Sequence, residues 1–144
     1  MTLHPFSAPL PRRALGATGL LVTPLRAGCA PLGDMPATFG YAVSTERALA
    51  TIHAILDGPI TFVDTAASYG DGESERRIGH ALRERGRLPA GVVLDTKADY
   101  DLRTDAFDGD RCATASSAAC ACSASTACNS ATCMTPSIPP SRQR

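Results

Sequence analysis

Three residues of this chain have the types and spacing for proton transfer. Asp64 stands in Phe62-Val63-Asp64-Thr65-Ala66, Tyr69 in Ser68-Tyr69-Gly70, and Lys97 in Leu94-Asp95-Thr96-Lys97. An ammonium beside a phenol favours the phenolate and so lowers a tyrosine's pKa, while a carboxylate holds the ammonium in place. A phenol tuned in this way can give a proton to a carbonyl oxygen or take one from an alcohol. Singly, the three are ordinary. An Asp after a strand often caps a helix, a Tyr in such a turn is often a surface aromatic, and a lone Lys is usually solvated. Their ordered spacing across one β-α-β unit is what points to chemistry.

The elements that must position them can be read from periodicity. Arg13 to Val22 reads as two short strands around a turn at Ala17-Thr18-Gly19. Leu25 to Ala30 reads as a strand, followed by a Pro31-Leu32-Gly33 loop. Ser44 is an N-cap for a helix to about Leu56, with Ala48, Leu49, Ile52, Ile55 and Leu56 at helical spacing and Asp57-Gly58-Pro59 as its stop. Ile60 to Val63 is a buried-type strand. Ser74 is the expected cap of a second helix, with Ile78, Ala81 and Leu82 apolar, its Arg/Glu set solvated, and Gly86 to Pro89 as its end. Gly91 to Leu94 is a third strand. The order hairpin, β, α, β, α, β argues for parallel strands and an α/β architecture. In such folds the chemistry gathers at the carboxyl ends of the strands, where Asp64, Tyr69 and Lys97 all fall. Periodicity alone leaves a closed barrel and a doubly wound sheet both open.

Composition divides the chain. Residues 1–111 hold all 14 acidic residues and 12 of the 14 Lys and Arg, a formal charge of −2. That balance gives no footprint for nucleic acid. No stretch approaches the ~20 apolar residues of a membrane span. The first 13 residues lack the basic start and apolar run of a secretory signal, so a reducing cytoplasm is expected. Residues 112–134 are Ala, Ser, Thr and Cys, broken only by Asn129 and Met134. Residues 112–144 are therefore expected to be a disordered tail, because so little apolar surface cannot offset the entropy of ordering it. Five of the six cysteines lie there: Cys112, Cys120, Cys122, Cys128 and Cys133. Their spacing matches no structural zinc pattern, and no metal site is expected.

Several strings together resemble the aldo-keto reductases. They are Leu15-Gly16-Ala17-Thr18-Gly19-Leu20, Phe62-Val63-Asp64-Thr65-Ala66, Ser68-Tyr69-Gly70, Gly72-Glu73-Ser74-Glu75, Ile78-Gly79 and Thr96-Lys97. Residues from about Arg13 to Arg111 look like the first third of such an enzyme, and Gly72 to Arg77 is similar to the aldose 1-dehydrogenase branch. The resemblance implies the N-terminal part of a (β/α)8 TIM barrel whose floor is plugged by a β-hairpin. It implies a metal-free oxidoreductase that moves a hydride between NADP or NAD and a small-molecule carbonyl or sugar substrate. It implies that Tyr69 is the proton donor or acceptor, that Lys97 tunes it, and that Asp64 pairs with Lys97 and borders the nicotinamide ribose. Gly28, Cys29 and Ala30 match the first-strand loop near the nicotinamide, where small residues let the backbone approach. The family also carries a histidine at the end of its fourth strand. His4, His53 and His80 are all in the wrong places for it, and the two later ones read as helix residues.

The genetic code offers an account of the tail. When the last base of each codon is read with the first two of the next, every Cys forces Leu, Met or Val. Every Ala forces Arg, Ser, Gly or Cys. With permitted bases, Arg111 to Ser130 reads V-R-H-S-V-E-R-S-L-R-L-L-G-V-D-R-L-Q-L, an amphipathic helix, a Gly turn and the start of a strand. Cys133 to Ser137 reads H-D-P-E, which restores a histidine near the place where the family has one. The expected organisation is therefore a truncated barrel fragment over 1–111 and a frameshifted tail over 112–144. Such a chain is expected to be inactive by itself, because a closed TIM barrel needs about 250 residues. A non-catalytic barrel-derived fragment or binding module stays open beside the enzyme reading.

Overall fold

The structure, a computed structural model, describes residues 10–97 and the backbone of 131–134. Strand β1 (Arg13–Ala14) pairs antiparallel with β2 (Leu21–Val22), Arg13 lying opposite Val22. Between them the Thr18 hydroxyl donates to the Leu15 carbonyl at 2.6 Å, and Gly16 and Gly19 take φ of 54° and 75°. Strand β3 (Ala27–Gly28) is followed by a 3-10 turn, Ala30–Gly33, and a one-turn helix α1 (Pro36–Phe39). Helix α2 (Thr45–Leu56), strand β4 (Phe62–Asp64), helix α3 (Glu73–Arg85) and strand β5 (Val93–Lys97) complete the body, and β6 (Ala131–Met134) follows. Strands β3, β4, β5 and β6 form one parallel sheet in that order.

Side chains alternate across a strand, so this sheet has two different faces. Val63 and Leu94 face the helices, in one core with Ala48, Ile52 and Leu56 of α2 and Ile78, Ala81 and Leu82 of α3. Burying each large apolar side chain there contributes roughly 1.5–3 kcal/mol. Phe62 and Val93, the first residues of β4 and β5, point the other way. They meet Val22 in a second cluster with Leu15 and Leu20, so the hairpin closes the amino end of the sheet. The same alternation carries Asp64, Asp95 and Lys97 onto that inner face, further toward the carboxyl ends. Among the described residues the sheet has four parallel strands and does not close on itself, with helices on one face and the hairpin across its amino end.

The sequence expectations need several corrections. The third strand runs to Lys97 rather than stopping at Leu94, so Asp95, Thr96 and Lys97 are strand residues. The first strand is only Ala27–Gly28, because Pro31 sits at the start of a 3-10 turn. Ser74 does not cap α3. Gly72, in the left-handed conformation, precedes the helix, and the Ser74 hydroxyl is buried against the Cys29 carbonyl and the Thr65 hydroxyl, both at 2.9 Å. Arg77 is not solvated. It donates to the carbonyls of Leu32 at 2.8 Å and Val43 at 3.0 Å and to Glu73 at 2.7 Å, and its side chain is 7% exposed. A planar fork of donors satisfies several buried acceptors at once, which is what lets the charge go inside. Ser44 caps α2 as expected, accepting from the Arg47 amide. His53 and His80 are helix residues as expected, both facing Glu84.

Residues 112–144 were expected to hold no ordered element, yet Ala131–Met134 pairs with β5, with Leu94 beside Ala131 and Lys97 beside Met134. A parallel ladder is made by backbone groups, and β5 offers an unpaired row of them to any extended segment. Residues 112–130 and 135–144, and the tail cysteines other than Cys133, lie outside the described residues, as does His4.

Candidate active site

The three residues singled out by spacing converge. Lys97 Nζ donates to Asp64 Oδ1 at 2.6 Å, to the Thr65 carbonyl at 3.1 Å and to Tyr69 Oη at 3.1 Å. The ammonium also lies 4.9 Å from the centre of the Tyr69 ring. These contacts follow from the register. Asp64 of β4 sits beside Asp95 of β5, and Lys97 is two residues further along the same face. Tyr69 arrives from the loop after β4, whose turn is closed by the Tyr69 amide on the Ala66 carbonyl at 3.1 Å.

Asp64 is buried and Tyr69 half-buried. Burial works against the Lys97 charge, but hydrogen bonds to Asp64 and Tyr69 and the attraction of both raise its pKa above 10.5. The ammonium is therefore fixed at neutral pH. Because the phenol oxygen accepts from Lys97, its own O–H is free to donate elsewhere. Such a phenol is equipped as a general acid for a carbonyl oxygen.

The loop after β3 behaves less uniformly. Gly28 borders open space, since a Cβ there would meet nothing within 4 Å, and Ala30 is half-buried. Cys29 is fully buried in the helix-facing core, its thiol pushed up to about 12 by burial, then by the Asp64 charge. Only its backbone stays near the inner face, with its amide on the Asp64 carbonyl at 2.8 Å. Sequence reasoning passed over two charged neighbours. Arg26 reaches Asp64 Oδ1 at 3.5 Å. Asp95 is 2% exposed, lies beside Asp64 in the register, and among the described residues leaves its Oδ1 without a partner. Extending the third strand by three residues would have revealed Asp95, because period-two alternation puts it on the face of Lys97.

Among the described residues no cluster of His, Cys, Asp or Glu could hold a metal ion, and no helix is long and apolar enough to cross a membrane. The residues present fit a nicotinamide: an open, side-chain-free approach at Gly28 adjoins Asp64, and the phenol and ammonium stand on the same face.

The model of the aldo/keto reductase family matches residues 28–130. Pyridoxal 4-dehydrogenase of Microbacterium luteolum is 43% identical over 86 residues, 60% of this chain and 23% of that protein. D-threo-aldose 1-dehydrogenase of a Pseudomonas species is 37% identical over 90 residues, 62% of this chain and 26% of that protein. A solved structure described as an aldo-keto reductase from Pseudomonas aeruginosa superposes with a TM-score of 0.55 at 27% identity, over 75% of this chain and 39% of that one. The chain thus spans about a quarter of the length of the curated relatives it matches.

Proposed function

The chain belongs to the aldo/keto reductase family, and we propose that Asp64, Tyr69 and Lys97 are the proton-transfer group of an NAD(P)-dependent oxidoreductase acting on a small carbonyl compound or sugar. The observation that carries this reading is the Lys97 ammonium bonded at once to Asp64, at 2.6 Å, and to the Tyr69 phenol, at 3.1 Å. A nicotinamide, when bound, supplies the hydride for the carbonyl carbon. Tyr69 gives its free O–H proton to the carbonyl oxygen in reduction and takes it back in oxidation. Lys97 holds the phenol and offsets the charge that develops on it, and Asp64 fixes Lys97. Gly28, Ala30 and the Cys29 backbone would hold the nicotinamide, with Asp64 at its ribose. The substrate class fits two relatives named for the oxidation of pyridoxal and of aldoses. The body's charge of −2 favours no nucleic-acid partner, and a cytoplasmic location suits a reaction that draws on a soluble cofactor.

The four parallel strands of the described residues do not enclose a substrate, so the 144 residues alone are proposed to bind cofactor weakly and to turn nothing over. The tail bears on this. Met134 stands beside Lys97 in register, and the neighbouring reading frame permits a histidine there. We therefore propose that one base has been gained or lost near the codon for Arg111. Resequencing across the codons for Asp108 to Thr114 tests the frame. Fluorescence titration with NADPH, and turnover with pyridoxal or an aldose, test the function in the chain as given and in the frame-restored chain. Binding and turnover in the restored chain are expected, with turnover abolished and NADPH binding retained in Tyr69→Phe and Lys97→Met. An unshifted frame sinks the tail proposal. Tight binding without turnover in either form supports a binding module instead.

A further inference from the structure

One buried group is left over once Asp64, Tyr69 and Lys97 have been assigned. The Asp95 carboxyl is 2% exposed, lies beside Asp64 in the parallel register, and faces the same side as Lys97. Among the described residues its Oδ1 has no partner. Two ionised carboxylates side by side in a buried site repel each other, so one of them keeps its proton. Asp64 is the better placed to carry the negative charge, with Lys97 Nζ at 2.6 Å and Arg26 at 3.5 Å, both on Oδ1. Among the described residues Asp95 makes no ion pair, whereas Asp64 makes two. A neutral carboxyl also tolerates an unpartnered C=O, whereas an ionised oxygen stripped of water and partners is far more costly.

We infer that Asp95 carries the proton of an Asp64–Asp95 carboxyl pair and is a positioning residue for the Lys97–Tyr69 group, its neutral side chain leaving Asp64 as the one negative charge that β4 and β5 turn toward the ammonium. Its ionisation would set a second negative charge beside Asp64 and loosen the Asp64–Lys97 contact. The groups facing Asp95 are Asp64 on β4, Lys97 on its own strand and Arg26 just before β3. The Cys29 thiol, after β3, lies in the helix-facing core, feels the Asp64 and Lys97 charges from behind, and stays protonated. Burial, then the Asp64 charge, moves the Asp95 pKa up from 3.8; Lys97 and Arg26 oppose the shift without cancelling it. The carboxyl pair rests on the parallel register, the burial of Asp95 and its unpartnered Oδ1, and its bearing on proton transfer rests on the reductase reading above.

The test uses the full chain labelled with 13C at aspartate Cγ and 15N at lysine Nζ, in the wild type, D95N and D64N. In the wild type one aspartate resonance, missing from D95N, should titrate above the ordinary carboxylate range. Its midpoint should fall in D64N, where the neighbouring charge is gone. The Lys97 15Nζ resonance should move with that same midpoint in the wild type and stay flat over that range in D95N, a response that a merely packed side chain would not produce. An Asp95 midpoint at or below the ordinary value overturns the inference, and so does a midpoint that D64N leaves unchanged. Should D95N fail to fold, the wild-type urea midpoint against pH reads the same proton. A raised folded-state pKa contributes stability at low pH that is lost as pH rises through the folded value, so a decline above about pH 4 is expected and a rise counts against the pair. NADPH titration of the frame-restored chain judges the reductase reading separately. No binding there, with Asp95 titrating high, sinks that reading and leaves the pair standing.

Discussion

Replacing Gly70 by alanine should unseat Tyr69, and the size of the effect follows from the loop's geometry. Gly70 has a φ of 63°, in the left-handed region, and a Cβ on it would fall onto the Gly33 carbonyl oxygen. The approach is close from both sides, since a Cβ on Gly33 would lie 2.7 Å from the Tyr69 carbonyl carbon. The loop cannot slide away freely, because the amides of Ser74 and Glu73 hold the carbonyls of Tyr69 and Gly70 at 3.2 and 3.0 Å. An alanine in the left-handed region costs about 1 kcal/mol. Forcing an extra carbon against fixed backbone costs about 1–3 kcal/mol more. Gly70→Ala should therefore lose about 2–4 kcal/mol. Gly86 is the control: its φ is 76° and a Cβ there meets nothing within 4 Å, so Gly86→Ala should lose only about 1 kcal/mol. Urea unfolding at matched m-values measures both. The Lys97 15Nζ shift should move in Gly70→Ala alone, since the phenol is then displaced from its 3.1 Å contact. Equal losses in the two variants, or an unmoved Lys97 signal, would refute the close-approach reasoning.

Further outcomes follow from the same structure. Arg77→Met should cost about 2–4 kcal/mol in urea unfolding, because it strips donors from the buried carbonyls of Leu32 and Val43; Arg77→Lys should recover only part, lacking the fork, and a loss under 1 kcal/mol would contradict the buried role. Leu82→Ala, at a side chain 2% exposed between α2, α3 and the sheet, should cost about 2–5 kcal/mol, measured the same way. On the alkaline side, Lys97 has a raised pKa, so its contribution to stability is complete below pH 10.5 and lost as pH climbs through the folded value; Lys97→Met should remove that part of the pH profile. In a variant keeping Cys29 as its single cysteine, maleimide labelling should require unfolding, since the thiolate is suppressed and the side chain is 0% exposed; fast labelling of the folded chain would place Cys29 outside the core.

By itself the sequence determined the parts that depend on local rules. Apolar spacing in Thr45–Leu56 and Glu73–Arg85 fixes which faces turn inward, and Ser44 and Gly86 mark where those helices begin and stop, because capping and handedness are properties of a few neighbouring residues. The short strings around Asp64, Tyr69 and Lys97 likewise carried the candidate site, since each lies at or just past the carboxyl end of a strand. Other features were decided only by tertiary contact. Ser74 reads as a cap until the Cys29 carbonyl and Thr65 claim its hydroxyl. Arg77 reads as a surface charge until Leu32 and Val43 bring their carbonyls to it across more than thirty residues. Asp95 reads as one more strand residue until the parallel register sets it against Asp64. In each case the deciding partner is distant in sequence. A buried polar group takes its role from whichever partner replaces its water, and only the folded chain brings that partner to it.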